Sequence, residues 1–249
     1  MRLEFYELCV EITRRCNMNC AHCLRGDAEN LDMPFEKLKS VLDVTDSIDS
    51  LIFTGGEPTL NVPFMKKTLE YVKEKEIPVN GLFIATNGKE VTEEFLLTWI
   101  QWFVYCLECG AERDLVNIAL SKDDFHERIP DRNRYLIEAL PGYTDIKQTD
   151  FRKDAIIRSG RAAENSAALK KLGFSFRDRT PSNVCNVTRY GGAFRLEDIV
   201  YLSAKGDICV DCDLSYKDQG RHAVGNVDDL PAFFAALEKA EEWGEIRSA

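Results

Sequence analysis

Two rhythms of apolar and polar positions alternate along this chain: short apolar runs of strand length, and longer stretches with helical spacing. Residues 8–13 predict a first strand. Residues 34–44 predict a helix with Pro34 in its first turn, where a missing N–H costs nothing. Residues 51–54 predict a buried strand ending at Gly55-Gly56, residues 62–75 a helix, and residues 81–86 a strand ending in Asn87-Gly88. Residues 92–109 predict a long helix, with Thr92 as N-cap and Glu93 and Glu94 in the first turn. A fourth strand is expected at 115–120, a fifth at 154–157 and a helix at 162–172.

Strand–helix alternation of this kind implies an α/β fold with a parallel sheet and right-handed crossovers. Such sheets bind ligands beyond the carboxyl ends of their strands. Four polar segments fall there: the loop from Cys16 to Cys23, Gly55-Gly56-Glu57-Pro58, Thr86-Asn87-Gly88, and Ser121-Lys122-Asp123-Asp124. After about residue 181 the rhythm changes. Residues 199–203 and 208–210 predict strands joined by a turn at Gly206, and an amphipathic helix follows over 228–243. Two units are expected, residues 1–180 and a small appended domain over 181–249.

Composition narrows the class. Of 249 residues, 45% are hydrophobic and 30% charged, which is ordinary globular usage. A net charge of −10 gives no basic footprint for nucleic acid, so no nucleic-acid partner is expected. No apolar run approaches the roughly 20 residues that cross a bilayer, and residues 1–7 mix acids with apolar residues. A cytoplasmic location away from membranes is the expectation. Nine cysteines in a reducing compartment invite a metal reading over disulfides.

Cys16, Cys20 and Cys23 form a C-x3-C-x2-C loop. Closely spaced thiolates suit an iron–sulfur cluster, and three of them leave one iron of a four-iron cluster open to a ligand. A zinc site with His22 as a stand-in ligand is the alternative at this point.

The cysteine loop after a first strand, followed by Gly55-Gly56-Glu57-Pro58 after a second, resembles the radical S-adenosylmethionine (radical SAM) superfamily. The resemblance implies a partial (β/α)6 barrel over about residues 8–180. It also implies that the three cysteines hold a 4Fe–4S cluster whose open iron is chelated by S-adenosylmethionine. Gly55, Gly56 and Glu57, with Pro58, would position the methionyl amino group: glycines permit close backbone approach, and a carboxylate accepts from an ammonium. Thr86 and Asn87 would meet the ribose, and Ser121 and Asp123 are further cofactor candidates. Arg158 is a candidate partner for a carboxylate. The superfamily usually has an aromatic residue just before the third cysteine. Here it is His22, which can stack on adenine or donate toward a sulfur. The implied chemistry is reductive cleavage to methionine and a 5′-deoxyadenosyl radical that takes hydrogen from a small-molecule or peptide substrate. A flavodoxin- or ferredoxin-type donor would supply the electron.

The tail, with Cys185, Cys209 and Cys212, is similar to a shortened SPASM/twitch extension, which implies a second 4Fe–4S cluster that binds substrate or accepts an electron. Cys106 or Cys109 is a possible fourth ligand, although burial in the core suits that pair, as it suits Cys9. Zinc is the alternative at the tail site. Asp124 and His126 are candidate acid–base residues beyond the fourth strand. Two other whole-protein readings are a glycyl-radical enzyme activase and a non-catalytic zinc or iron–sulfur module.

Overall fold

A computed structural model describes residues 1–145, 150–151, 153–179 and 184–248. In chain order the first elements are β1 (Arg2–Thr13), α1 (Phe35–Leu42), β2 (Thr45–Gly55), α2 (Val62–Glu74), β3 (Leu82–Thr86), α3 (Glu93–Glu108) and β4 (Val116–Leu120). The four strands lie side by side in sequence order, every pair parallel. The helices cover one face. Helix α3 buries Phe95, Trp99, Trp102 and Cys106, spaced three or four apart, and the Trp102 indole donates to the Met65 carbonyl of α2 at 3.1 Å. Thr92 caps α3 as expected, its hydroxyl accepting from Phe95 N.

The following elements are shorter: α4 (Asp131–Glu138), β5 (Ile156–Ile157), α5 (Gly160–Glu164), α6 (Ser166–Lys171) and β6 (Phe176–Arg177). The fifth strand is cut to two residues because it pairs only with β6, in a separate parallel sheet. Ile156, Ala162, Leu169 and Phe174 give that unit its own small core.

The tail holds β7 (Val184–Tyr190), β8 (Ala193–Leu202), β9 (Asp207–Cys209), β10 (Ala223–Asn226), α7 (Leu230–Glu241) and β11 (Glu245–Arg247). Strand β8 runs parallel to β1 on the side away from β2, from Arg2↔Ala193 to Val10↔Leu202. Tail and barrel strands therefore share one sheet, ordered β10-β9-β8-β1-β2-β3-β4. With neighbours on both edges, β1 is buried continuously from Leu8 to Thr13: Leu8, Val10 and Ile12 enter the main core, and Cys9, Glu11 and Thr13 face the other way. The unit boundary expected between 180 and 181 lies outside the described residues. Among the described residues no helix is long and apolar enough to cross a membrane.

Candidate active site at the carboxyl ends of the strands

The site is built where β1 and β2 end. Gly56 N donates to Thr13 O and Glu57 N to Arg15 O, both at 2.8 Å, so the end of β2 is bonded to the stem of the cysteine loop. A Cβ on Gly55 would stand 1.9 Å from Thr13 O, and one on Gly56 2.2 Å from Arg15 O. The glycines thus serve an approach of chain to chain, where the sequence suggested an approach to a ligand. The Arg15 guanidinium adds a forked pair with Asp32 at 2.9 Å and a bond to Leu60 O.

Cys16, Cys20 and Cys23 line one cavity of about 250 Å³, together with Gly55, Gly56, Glu57, Pro58, Asn87 and Ser121. Among the described residues no three His, Cys, Asp or Glu side chains converge on a point that would hold one ion. Burial, then Asp123 and the neighbouring thiols, pushes Cys20 up to about 11; burial likewise raises Cys16. Metal must therefore displace protons to bind.

Glu57 is 2% exposed and already engaged. One carboxylate oxygen accepts from Thr59 N, the Thr59 hydroxyl and the Thr86 hydroxyl; the other accepts from Asn87 N at 2.8 Å. Burial raises its pKa, against the pull of these donors. The carboxylate clasps the ends of β2 and β3, and Thr86 belongs to that clasp rather than to the cavity wall. Asn87 does line the cavity, and its Nδ2 donates to Asn17 Oδ1 at 2.9 Å, with Cys16 Sγ at 4.0 Å.

Beyond β4, Asp123 stands 2.8 Å from His126 Nδ1 and 3.3 Å from His22 Nε2. Burial opposes its ionisation, but the two imidazoles and the Phe125 N–H outweigh that and hold its carboxyl well below the usual range. His126 and His22 both line the cavity; Asp123 orients them from behind. The His22 ring stacks on Phe125 at 4.4 Å, so one face is already covered. Asp124 is not part of the cavity wall.

Arg158 lies elsewhere, in a separate cavity with Arg25 and Tyr216, paired with Asp178 at 3.3 Å. Two cations line the cysteine cavity: Arg25, which lies over the Tyr201 ring and donates to Leu214 O, and Arg161. Arg161 is 7% exposed, its Nε makes no hydrogen bond but lies 3.8 Å from Asp27 Oδ1, and its charge favours the thiolate forms of Cys16 and Cys20. Arg161 N donates to Cys23 O at 2.9 Å, and a Cβ on Gly160 would meet Leu24 O at 2.3 Å, so the start of α5 seals the far end of the loop.

Residues 10–135, about half of the chain, match the radical SAM superfamily. The chain belongs to that superfamily. Membership implies an enzyme with a 4Fe–4S cluster and S-adenosylmethionine as cofactors. An uncharacterized protein of Methanocaldococcus jannaschii is 34% identical over 91 residues, 35% of this chain and 32% of the relative. The tungsten-containing aldehyde ferredoxin oxidoreductase cofactor-modifying protein of Pyrococcus furiosus is 36% identical over 95 residues, 36% of this chain and 26% of that one. A putative glycyl-radical enzyme activating enzyme of M. jannaschii is 34% identical over 90 residues, 32% and 34% of the two chains. These matches span about a third of each relative. In fold, this radical SAM chain is similar to anSMEcpe solved with bound AdoMet, with a TM-score of 0.53 at 15% identity over 98% of this chain and 80% of that one.

The radical SAM loop is also tied to the tail. Arg14, one residue before the stem's Arg15, is fully buried; it donates to Glu11, Glu29 and Gln219, and its guanidinium lies 4.4 Å from the Tyr216 ring centroid. Glu11 in turn accepts from Ala204 N, Tyr201 and Gln219. Arg25, two residues after Cys23, lies over the Tyr201 ring and donates to Leu214 O.

The three tail cysteines are not brought together. Cys185 alternates with exposed Asn186 on β7, which turns its thiol into the main core. Cys209 lies in register with Tyr201, which is itself in register with Cys9, and these residues pack with Leu214 and Cys212 in a separate cluster. The ligand set expected for a second cluster thus loses Cys185. Cys106 and Cys109 belong to the main core around α3, with burial pushing Cys106 up to about 12.

Proposed function

We propose that this chain uses Cys16, Cys20 and Cys23 to hold a 4Fe–4S cluster and cleaves S-adenosylmethionine to begin radical chemistry on a small-molecule or peptide substrate. Three thiols in one cavity, beside a Gly55-Gly56-Glu57 turn bonded to their stem, carry this reading. Bound there, cluster and cofactor together supply one-electron cleavage to methionine and a 5′-deoxyadenosyl radical.

The chain's own residues bind, orient and exclude water. The clasp through Glu57 fixes the ends of β2 and β3, so the backbone there, rather than the carboxylate, faces the methionyl ammonium. Arg161, buried in the cavity wall with Asp27 as a 3.8 Å ion-pair partner, supplies a guanidinium for the cofactor carboxylate. Asn87, Ser121 and His126 offer polar contacts for the ribose. Asp123 keeps His126 in one orientation. The reading holds a single cluster, because Cys185 is turned away from Cys209 and Cys212.

Electron paramagnetic resonance of the reduced protein tests it. Adding S-adenosylmethionine should change the cluster signal, because the open iron gains ligands. A signal indifferent to the cofactor contradicts the proposal.

A further inference from the structure

We propose that the cavity lined by Glu7 and Arg177, behind the cofactor cavity, is the substrate's seat and takes a ligand carrying both an ammonium and a carboxylate group. This rests on the function proposed above.

Three neighbouring cavities run from the cysteine loop to this seat. His22 and Leu24 form the wall shared by the cysteine cavity and a larger one of about 660 Å³. That second cavity shares Ile157 and Arg177 with a third of about 420 Å³, whose far wall is Glu7 on β1 and Cys212 in the tail. The cofactor must lie at the near end, against the thiols, so the space beyond His22 is left for the molecule acted upon. Its size matches a small ligand or a few residues of peptide.

Charge selects the ligand. Most ionic groups of the third cavity are committed: Arg179 pairs with Asp211, and Asp198 accepts from both the backbone and side-chain nitrogens of Asn186. The side chains of Glu7 and Arg177 have no hydrogen-bond or ion-pair partner among the described residues. Glu7 lies on the inward face of β1, in the same run as Cys9 and Glu11, where a half-buried carboxylate without a partner gains from a cation. Arg177, exposed at the end of β6, lines the same cavity and offers the opposite charge there. A ligand with both charges engages both groups, whereas one with a single charge engages only one of them.

The test uses the reconstituted protein with S-adenosylmethionine and four probes: 6-aminohexanoate, hexylamine, hexanoate, and a blocked hexapeptide with one Lys and one Glu. Binding is followed by saturation-transfer nuclear magnetic resonance. A doubly charged probe should bind about tenfold more tightly than either singly charged one, the scale of one charge-assisted hydrogen bond. Glu7→Gln should abolish the advantage over hexanoate, and Arg177→Gln the advantage over hexylamine. Tighter binding of the hexapeptide identifies a peptide source, and tighter binding of 6-aminohexanoate a free small molecule. Equal binding of all four probes, or no change in the variants, overturns the inference. Failure of the parent protein to hold a cluster or cleave the cofactor would instead fault the proposed function.

Discussion

Arg14 and Gln219 meet in a 2.5 Å hydrogen bond from guanidinium to amide oxygen, both side chains fully buried, across 205 residues of sequence. The Gln219 amide nitrogen also donates to Glu11 at 2.7 Å. One tail residue thus satisfies both members of an ion pair beside the cluster loop. Gln219→Leu should cost about 1–3 kcal/mol, the scale for stranding buried polar groups. Urea unfolding of the purified protein would register it, and an unchanged midpoint would show that the network is not coupled to stability.

Gly56→Ala should be more damaging than its size suggests. The added methyl would overlap Arg15 O, and relief requires breaking the Gly56–Thr13 and Glu57–Arg15 hydrogen bonds. About 2 kcal/mol or more is expected from those two bonds, together with a loss of bound iron. Gly244→Ala is the control, with a positive φ of 73° but open space around it. It should lose about 1–2 kcal/mol for the backbone alone and keep its iron.

Thiol chemistry should separate Cys185 from the loop. Its thiol is fully buried in the core and pushed up to about 11 by that burial. In apoprotein at pH 8, alkylation should reach Cys16, Cys20 and Cys23, which are partly exposed, well before Cys185. In reconstituted protein, Cys185→Ala should leave the iron content at about four per chain. Loss of iron in that variant would restore it as a ligand.

Arg161 and Arg158 make a matched pair for cofactor affinity. Arg161→Gln should weaken S-adenosylmethionine binding about tenfold, as expected for one charge-assisted hydrogen bond. Arg158→Gln, altering a residue paired with Asp178 in another cavity, should leave it unchanged. Equilibrium dialysis on the reconstituted protein distinguishes them; the reverse order would return the carboxylate to Arg158.

Much of this site was legible before the fold was known. The cysteine spacing, the Gly55-Gly56-Glu57 turn and the strand-end segments are local pattern, and Cys16, Cys20, Cys23, Glu57, Asn87 and Ser121 from them line one cavity. The misread residues depend on what lies across space. Arg161 stands three positions from Arg158, and only the way Gly160 packs on the loop decides which guanidinium enters the cavity. Nothing in the sequence indicates that Thr86 and Asn87, about thirty positions away, donate to the Glu57 carboxylate. Gln219 gives no signal in a polar loop because its value comes from Arg14 and Glu11. Strand β8 is half legible: residues 199–202 are apolar, but Arg195 and Glu197 hide the run that lies along β1. The resemblance of the tail to a SPASM/twitch extension groups Cys185 with Cys209 and Cys212, and strand alternation turns Cys185 into the main core.

The most direct measurement follows cofactor cleavage by the anaerobically reconstituted protein under dithionite. The parent chain should release 5′-deoxyadenosine and methionine together, and Cys20→Ala should release neither. No cleavage by the parent, or equal cleavage by Cys20→Ala, would contradict the assignment of the loop.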